Sequence, residues 1–151
     1  MEQLAQGICQ RQAALSAAAL ASAAEGWVWE HYHADWSVDW DYNRHDRSNI
    51  FRPWGYQIGH QTEWAKLLLQ LDALQPADWH LPCAQRLFDA AVERGWDTEH
   101  GGLYYGMAPD GSICDDGKYH WVQAESMAAA AVLAVRTGDA RYWQWYDRIW
   151  A

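Results

Sequence analysis
A chain of 151 residues, half of them hydrophobic, is long enough for a single domain with a core of its own. Its formal charge of −9, from 20 acidic and 11 Lys and Arg residues, offers neither the basic stripe of a nucleic-acid binder nor the polybasic cluster of a membrane-surface anchor. No run reaches the roughly 20 apolar residues that a bilayer span needs, so neither nucleic acid nor membrane is expected as a partner.

Residues 2–24 read as helix: Ala-rich, with Leu4, Ile8, Leu15 and Leu20 near helical spacing and Gly26 closing it. Positions 14–24 are small and apolar like a leader core, but Glu2 precedes them and Ser16 and Ser22 interrupt them. A small-residue helix packed closely on its neighbours is expected rather than a cleaved leader. Residues 27–32 form a short extended piece with Trp27, Trp29 and His31 on one face. Residues 35–50 are polar and without period, a long loop of the kind that usually carries function. A second helix starts at Ile58 or Gly59 and runs to about Ala73, with Trp64, Leu67, Leu68 and Leu71 as its apolar set and Pro76 beyond its end. A third covers 81–95, with Pro82 in its first turn and Ala84, Leu87, Phe88, Ala91 and Val92 as the stripe. Residues 97–117 are rich in Gly and Asp and read as a hairpin or irregular loop turning at Pro109-Asp110-Gly111. A fourth helix spans 119–137 and stops at Gly138; Asp139 caps a fifth over 140–150. The fold class is all-α, helical hairpins with long loops at one end, forming one domain over 1–151. The last helix is amphipathic and aromatic, so its outer face suits packing on another copy or on further chain.

Three cysteines, Cys9, Cys83 and Cys114, are odd in number and widely spaced. They read as reduced thiols and a cytoplasmic location, not a disulfide frame. The aromatic balance is unusual: 12 Trp and 8 Tyr against 2 Phe. Indole and phenol rings pair an apolar face with a polar edge, which suits a sugar ring, although most will serve the core.

Within 51–64, His60 and Glu63 stand at i and i+3 and share a helix face. In a first helical turn the backbone dipole favours the neutral imidazole, and a neutral imidazole can accept a proton near neutral pH. Glu63 could orient that ring or hold a sugar hydroxyl. The alternative is a pair that only caps and bonds locally. Trp121 and Glu125, with Gln123 between them, lie on one face of the fourth helix; an indole beside a carboxylate can hold a sugar, or can be a core Trp with a capping acid. Arg52 and Trp54 precede the His60 helix at an expected pocket mouth, where Arg52 could meet an anionic group or pair with Asp46. His31, His33, His45 and Asp35 lack a metal-ligand spacing, and 110–116 lacks the pattern of a calcium loop, so no metal is expected.

Three ordered motifs carry a family likeness: Gly59-His60-Gln61-Thr62-Glu63-Trp64; Gly101-Gly102-Leu103 with Asp110-Gly111; and Lys118 to Glu125 in the pattern Lys-x-x-Trp-x-Gln-x-Glu. Over roughly residues 27–150 the chain resembles the N-acylglucosamine 2-epimerase superfamily, most nearly its branch of aldose–ketose isomerases acting on mannose and related sugars. Ile58 stands where that family usually has proline. The resemblance implies part of an (α/α)6 barrel, a monosaccharide substrate, and proton transfer through a cis-enediol with no cofactor. It implies His60 as one of two catalytic histidines, Glu63 beside it and Trp121 in the sugar-binding wall, with Arg52, Trp54, Gln123 and Glu125 as further substrate contacts. It also implies that this chain is a portion of a longer barrel whose second catalytic histidine lies in a later segment. Two other readings stay open: a relative that binds sugar or a protein without catalysis, and an (α/α)6 glycoside hydrolase using Glu63 and Glu125 as acid and base.

Overall fold
The computed structural model describes residues 27–46 and 49–151, together with Gln3, Gln6 and Gly7. Of the helix expected over 2–24, Gln3, Gln6 and Gly7 are described and are helical; the rest of it, its closure at Gly26 and the thiol of Cys9 lie outside the described residues. Four helices follow: α1 (Ile58–Leu74), α2 (His80–Gly95), α3 (His120–Thr137) and α4 (Ala140–Trp150). Their limits match the expected ones to within a residue or so, because the signals that set them are local. Asp139 accepts a hydrogen bond from Arg141 N–H at 2.9 Å, and Gly138 ends α3 at φ 71°, a left-handed conformation that only glycine takes without strain.

The short strands β1 (Tyr56–Gln57), β2 (Gly106–Met107) and β3 (Ile113–Asp115) form an antiparallel sheet in the order β1-β2-β3. Tyr56 faces Met107 and Gln57 faces Gly106; a register shift between Gly106 and Met107 brings Asp115 and Ile113 opposite them. The β2–β3 turn closes through Ala108 N–H to Ser112 O at 2.8 Å, and Asp110 accepts from the Ser112 N–H and hydroxyl. β1 leads directly into α1, so the sheet fixes where α1 begins.

α1 packs against both α2 and α3, and α4 returns along α3 while reaching α2 through Phe88 and Tyr142, whose rings stand 5.6 Å apart. Trp27, Trp29, Phe88, Leu87, Leu133 and Tyr142 are wholly buried among these elements. Trp27 and Trp29 meet Tyr56 edge-on at 5.5 and 5.0 Å, which ties the 27–32 segment to β1.

One expectation fails on α1. Leu67 is 45 % exposed, and the buried face instead carries Gln61, Thr62 and Asp72 beside Ala65, Leu68 and Leu69. Each polar group on that face has a partner, which is what makes its burial tolerable. Thr62 Oγ1 lies 2.9 Å from Ser126 Oγ on α3. Asp72 accepts from Ala77 N–H, His80 and Arg136; the Arg136 contact above all holds its carboxyl below the usual range. Gln61 accepts from Val28 N–H at 2.7 Å and donates to Val28 O at 2.9 Å, clamping the extended segment onto α1. Gln61→Leu fits the same space but strands both backbone groups of buried Val28. It should lose about 3 kcal/mol, read as a lower urea midpoint at unchanged slope.

Candidate functional site
The Gln61–Val28 clamp also sets Glu30, two residues after Val28, against His60, the residue before Gln61. With Val28 fixed on α1, Glu30 stands over the first turn of that helix, and its Oε1 lies 2.5 Å from His60 Nδ1. Trp121, in the first turn of α3, closes the other side: its ring centre is 5.1 Å from that of His60, tilted by 39°. The approach is possible because residue 59 is glycine. A Cβ there would lie 2.5 Å from Trp121 Cζ3. Tyr105 meets Trp121 edge-on at 6.0 Å and Tyr119 at 4.4 Å, and its hydroxyl donates to Ile50 O at 2.6 Å.

The electrostatics differ from the expectation of an imidazole kept neutral by the helix dipole. Burial pulls His60 toward the neutral form, but the hydrogen bond and charge of Glu30, with the charge of Glu63, outweigh it and raise its pKa above the ordinary 6.5. Two carboxylates within reach exceed the effect of a few backbone N–H dipoles. Glu63 reaches the ring by charge; the carboxylate on Nδ1 is Glu30's. Tyr105, buried beside Tyr119 and within the field of Glu30, is pushed up to about 12 and stays a neutral phenol.

The other expected residues separate. Glu125, about one turn beyond Trp121 on α3, pairs with Lys66 from α1. Gln123 accepts from Leu103 N–H at 2.9 Å and donates to Leu103 O at 2.8 Å, so its amide holds the Gly101-Gly102-Leu103 loop against α3. Lys118 meets Asp97 at 2.6 Å, and Asp97 also accepts from the N–H groups of Glu99 and His100; these contacts, Lys118 first, keep its carboxyl far below the usual range. Arg52 has an exposed side chain, and its N–H donates to Asn49. Trp54 donates Nε1–H to Trp40 O at 2.6 Å and lines a cavity of about 530 Å³ whose other walls come from Asn43, Arg44, Asp110 and Asp115; His60 is not in that wall. Cys83 and Cys114 are thiols. His31 stacks on Tyr42 while His33 pairs with Asp39, and among the described residues no three His, Cys, Asp or Glu side chains converge as a metal site would need. Among those residues no helix is long and apolar enough to cross a membrane.

Glu30 and Lys66 were missed from sequence. A signal for Glu30 existed: it is the one acidic residue of the aromatic-rich WVWEHY run, at the alternate position to Trp27 and Trp29 in an extended segment.

Comparison with known proteins sets this geometry in a family. The model of N-acylglucosamine 2-epimerase (GlcNAc 2-epimerase) matches residues 2–151. A D-mannose isomerase of Marinomonas mediterranea is 55% identical over 147 residues, 97% of this chain and 36% of its own length. A D-mannose isomerase of Thermobifida fusca is 44% identical over 124 residues, 80% of this chain and 30% of its own. A crystal structure of D-mannose isomerase superposes with a TM-score of 0.89 at 54% identity, covering 99% of this chain and 36% of that one. The chain thus spans about a third of the length of these relatives. Its helices with their small antiparallel sheet are part of an (α/α)6 fold, and the chain belongs to the N-acylglucosamine 2-epimerase family.

Proposed function
We propose that the chain supplies the proton-transfer wall of an aldose–ketose isomerase acting on a monosaccharide of the mannose/fructose type. The carrying observation is the half-buried His60 held between a carboxylate and the face of Trp121. His60 takes the C2 proton of the open-chain aldose. The electron pair left at C2 forms the C1–C2 double bond of a cis-enediol while the carbonyl oxygen at C1 gains a proton. Return of a proton to C1 and loss of the C2 hydroxyl proton give the ketose. Transfer from C2 to C1 on one face of the sugar needs one base, whereas epimerisation at C2 needs donors on both faces. Trp121 offers a flat apolar surface for the C–H face of the sugar. Glu63 takes a hydroxyl, and Glu125 with Lys66 borders the same wall; Gln123, on α3, braces Leu103 beside it, and Arg52 and Trp54 lie on the loop ahead of β1. The D-mannose isomerase relatives support the choice of sugar. Glu125 is already engaged by Lys66, which leaves it less available as one of the carboxylate pair of a hydrolase. The cysteine content fits a reducing compartment such as the cytoplasm.

Incubation with mannose, fructose, glucose and N-acetylmannosamine tests the reading. Interconversion of mannose and fructose is expected; binding without turnover would leave a sugar-binding relative, and release of reducing ends from a disaccharide would indicate a hydrolase. We further propose self-association through α4, where Trp143 and Trp150 are 45 % and 73 % exposed. Sedimentation should show a concentration-dependent dimer that Trp150→Ser weakens; a strict monomer would contradict it.

A further inference from the structure
We propose that Glu30 is the positioning residue of His60: its carboxylate holds Nδ1–H, which leaves the lone pair on Nε2, and its charge stabilises the imidazolium formed when Nε2 takes a proton. This rests on the reading that His60 moves the proton in the reaction.

The geometry carries the assignment. The 2.5 Å contact is a charge-assisted hydrogen bond between two side chains 21 % and 37 % exposed, so water competes only in part. A carboxylate only accepts, so a neutral His60 must carry its proton on Nδ1 to make the bond. Nε2, for which the described residues offer no hydrogen-bond partner, is then the nitrogen able to accept. The pair is also built rather than incidental. Glu30 lies on a segment fixed by the two Gln61–Val28 hydrogen bonds and by the Trp27 and Trp29 contacts with Tyr56. His60 lies on a helix whose start is fixed by β1 and by Ile58 N–H donating to Tyr105 O at 3.1 Å. A carboxylate that orients a histidine and stabilises its cation is a recurring arrangement in proton-transfer catalysis.

The groups that bear on the His60 charge are few. From its own helix comes Glu63, which raises the pKa by charge alone. From the loop before β2 comes Tyr105, a phenol that stays neutral to about 12. From α3 come uncharged Trp121 and, further along, Glu125 with its charge met by Lys66. Glu30 therefore dominates. Removing its charge moves the His60 titration to lower pH, and an isomerase whose base is His60 shows the acid limb of kcat/KM moving the same way.

The test is a pH titration of the whole chain by imidazole-¹⁵N NMR, with His60 assigned through the signal lost in His60→Asn. The wild type should show the Nδ1–H tautomer in the neutral form. Glu30→Gln should titrate at lower pH and with a weaker tautomer preference. Glu30→Asp, which keeps the charge but shortens the reach, should fall between, and Glu63→Gln should move the titration less than Glu30→Gln does. Unchanged titration in Glu30→Gln, or an equal or larger move in Glu63→Gln, overturns the proposal. A fold lost in Glu30→Gln leaves the Asp variant and the wild-type tautomer to decide. Where turnover is measured, Glu30→Gln should lower kcat about tenfold or more with KM within twofold. The titration needs no turnover, so it can stand while a failed sugar assay removes the functional reading, and the reverse.

Discussion

His60→Asn is expected to lower proton transfer to and from a sugar by two to four orders of magnitude, the usual contribution of a positioned acid–base group, while the fold stays intact. Asparagine is smaller than histidine but can still donate an N–H toward Glu30, so the carboxylate keeps a partner. The site is partly open, and little packing is lost. The pH dependence of stability separates charge from shape. The His60 pKa is raised in the folded chain, so the stabilisation from its pairing with Glu30 is fully present below 6.5 and is lost as pH rises through the higher folded value. The thermal midpoint of the wild type should therefore exceed that of His60→Asn at pH 5, and the gap should close at pH 9. A gap that grows toward alkaline pH would mean that Glu30 does not stabilise the imidazolium. Wild-type proton transfer in His60→Asn would remove His60 from the chemistry.

Gly59→Ala should damage both stability and site. The added methyl would sit 2.5 and 2.7 Å from the Trp121 ring and 3.0 Å from Val122 Cγ2. The ring is caught between His60 and Tyr105, and α3 is joined to α1 by the Thr62–Ser126 contact, so neither yields easily. Overpacking of this kind costs about 1–3 kcal/mol, and the gain from replacing a helical glycine recovers up to about 1. A net loss of roughly 1–2 kcal/mol is expected in urea unfolding, together with weaker sugar binding. A neutral or stabilising result would show that Trp121 can move and does not brace His60.

Helix limits were legible because their determinants are near neighbours in sequence: Asp139 and Gly138 at the α3–α4 junction, Pro82 in α2, the apolar stripe of α2. β1 was not legible, since two residues show no alternation and only their pairing with β2 makes them a strand. The buried face of α1 was misread where Gln61, Thr62 and Asp72 look like surface residues. Their burial depends in all three cases on partners 33 or more residues away: Val28, Ser126 and Arg136. The site divided in the same way. His60 and Trp121 could be singled out by residue type and motif, and they stand together. Glu30 could not be placed, because nothing local says that the 27–32 segment crosses the first turn of α1. Gln123 has a side chain suited to a substrate, yet Leu103 takes both ends of its amide.

Deuterium uptake from D₂O tests the central claim most directly, because it reads single proton transfers without requiring net conversion. With the chain present, D-mannose should gain deuterium at C2 or D-fructose at C1, followed by ¹H NMR, and His60→Asn should reduce the rate at least a hundredfold. No uptake with the wild type, or equal uptake with His60→Asn, would contradict the account.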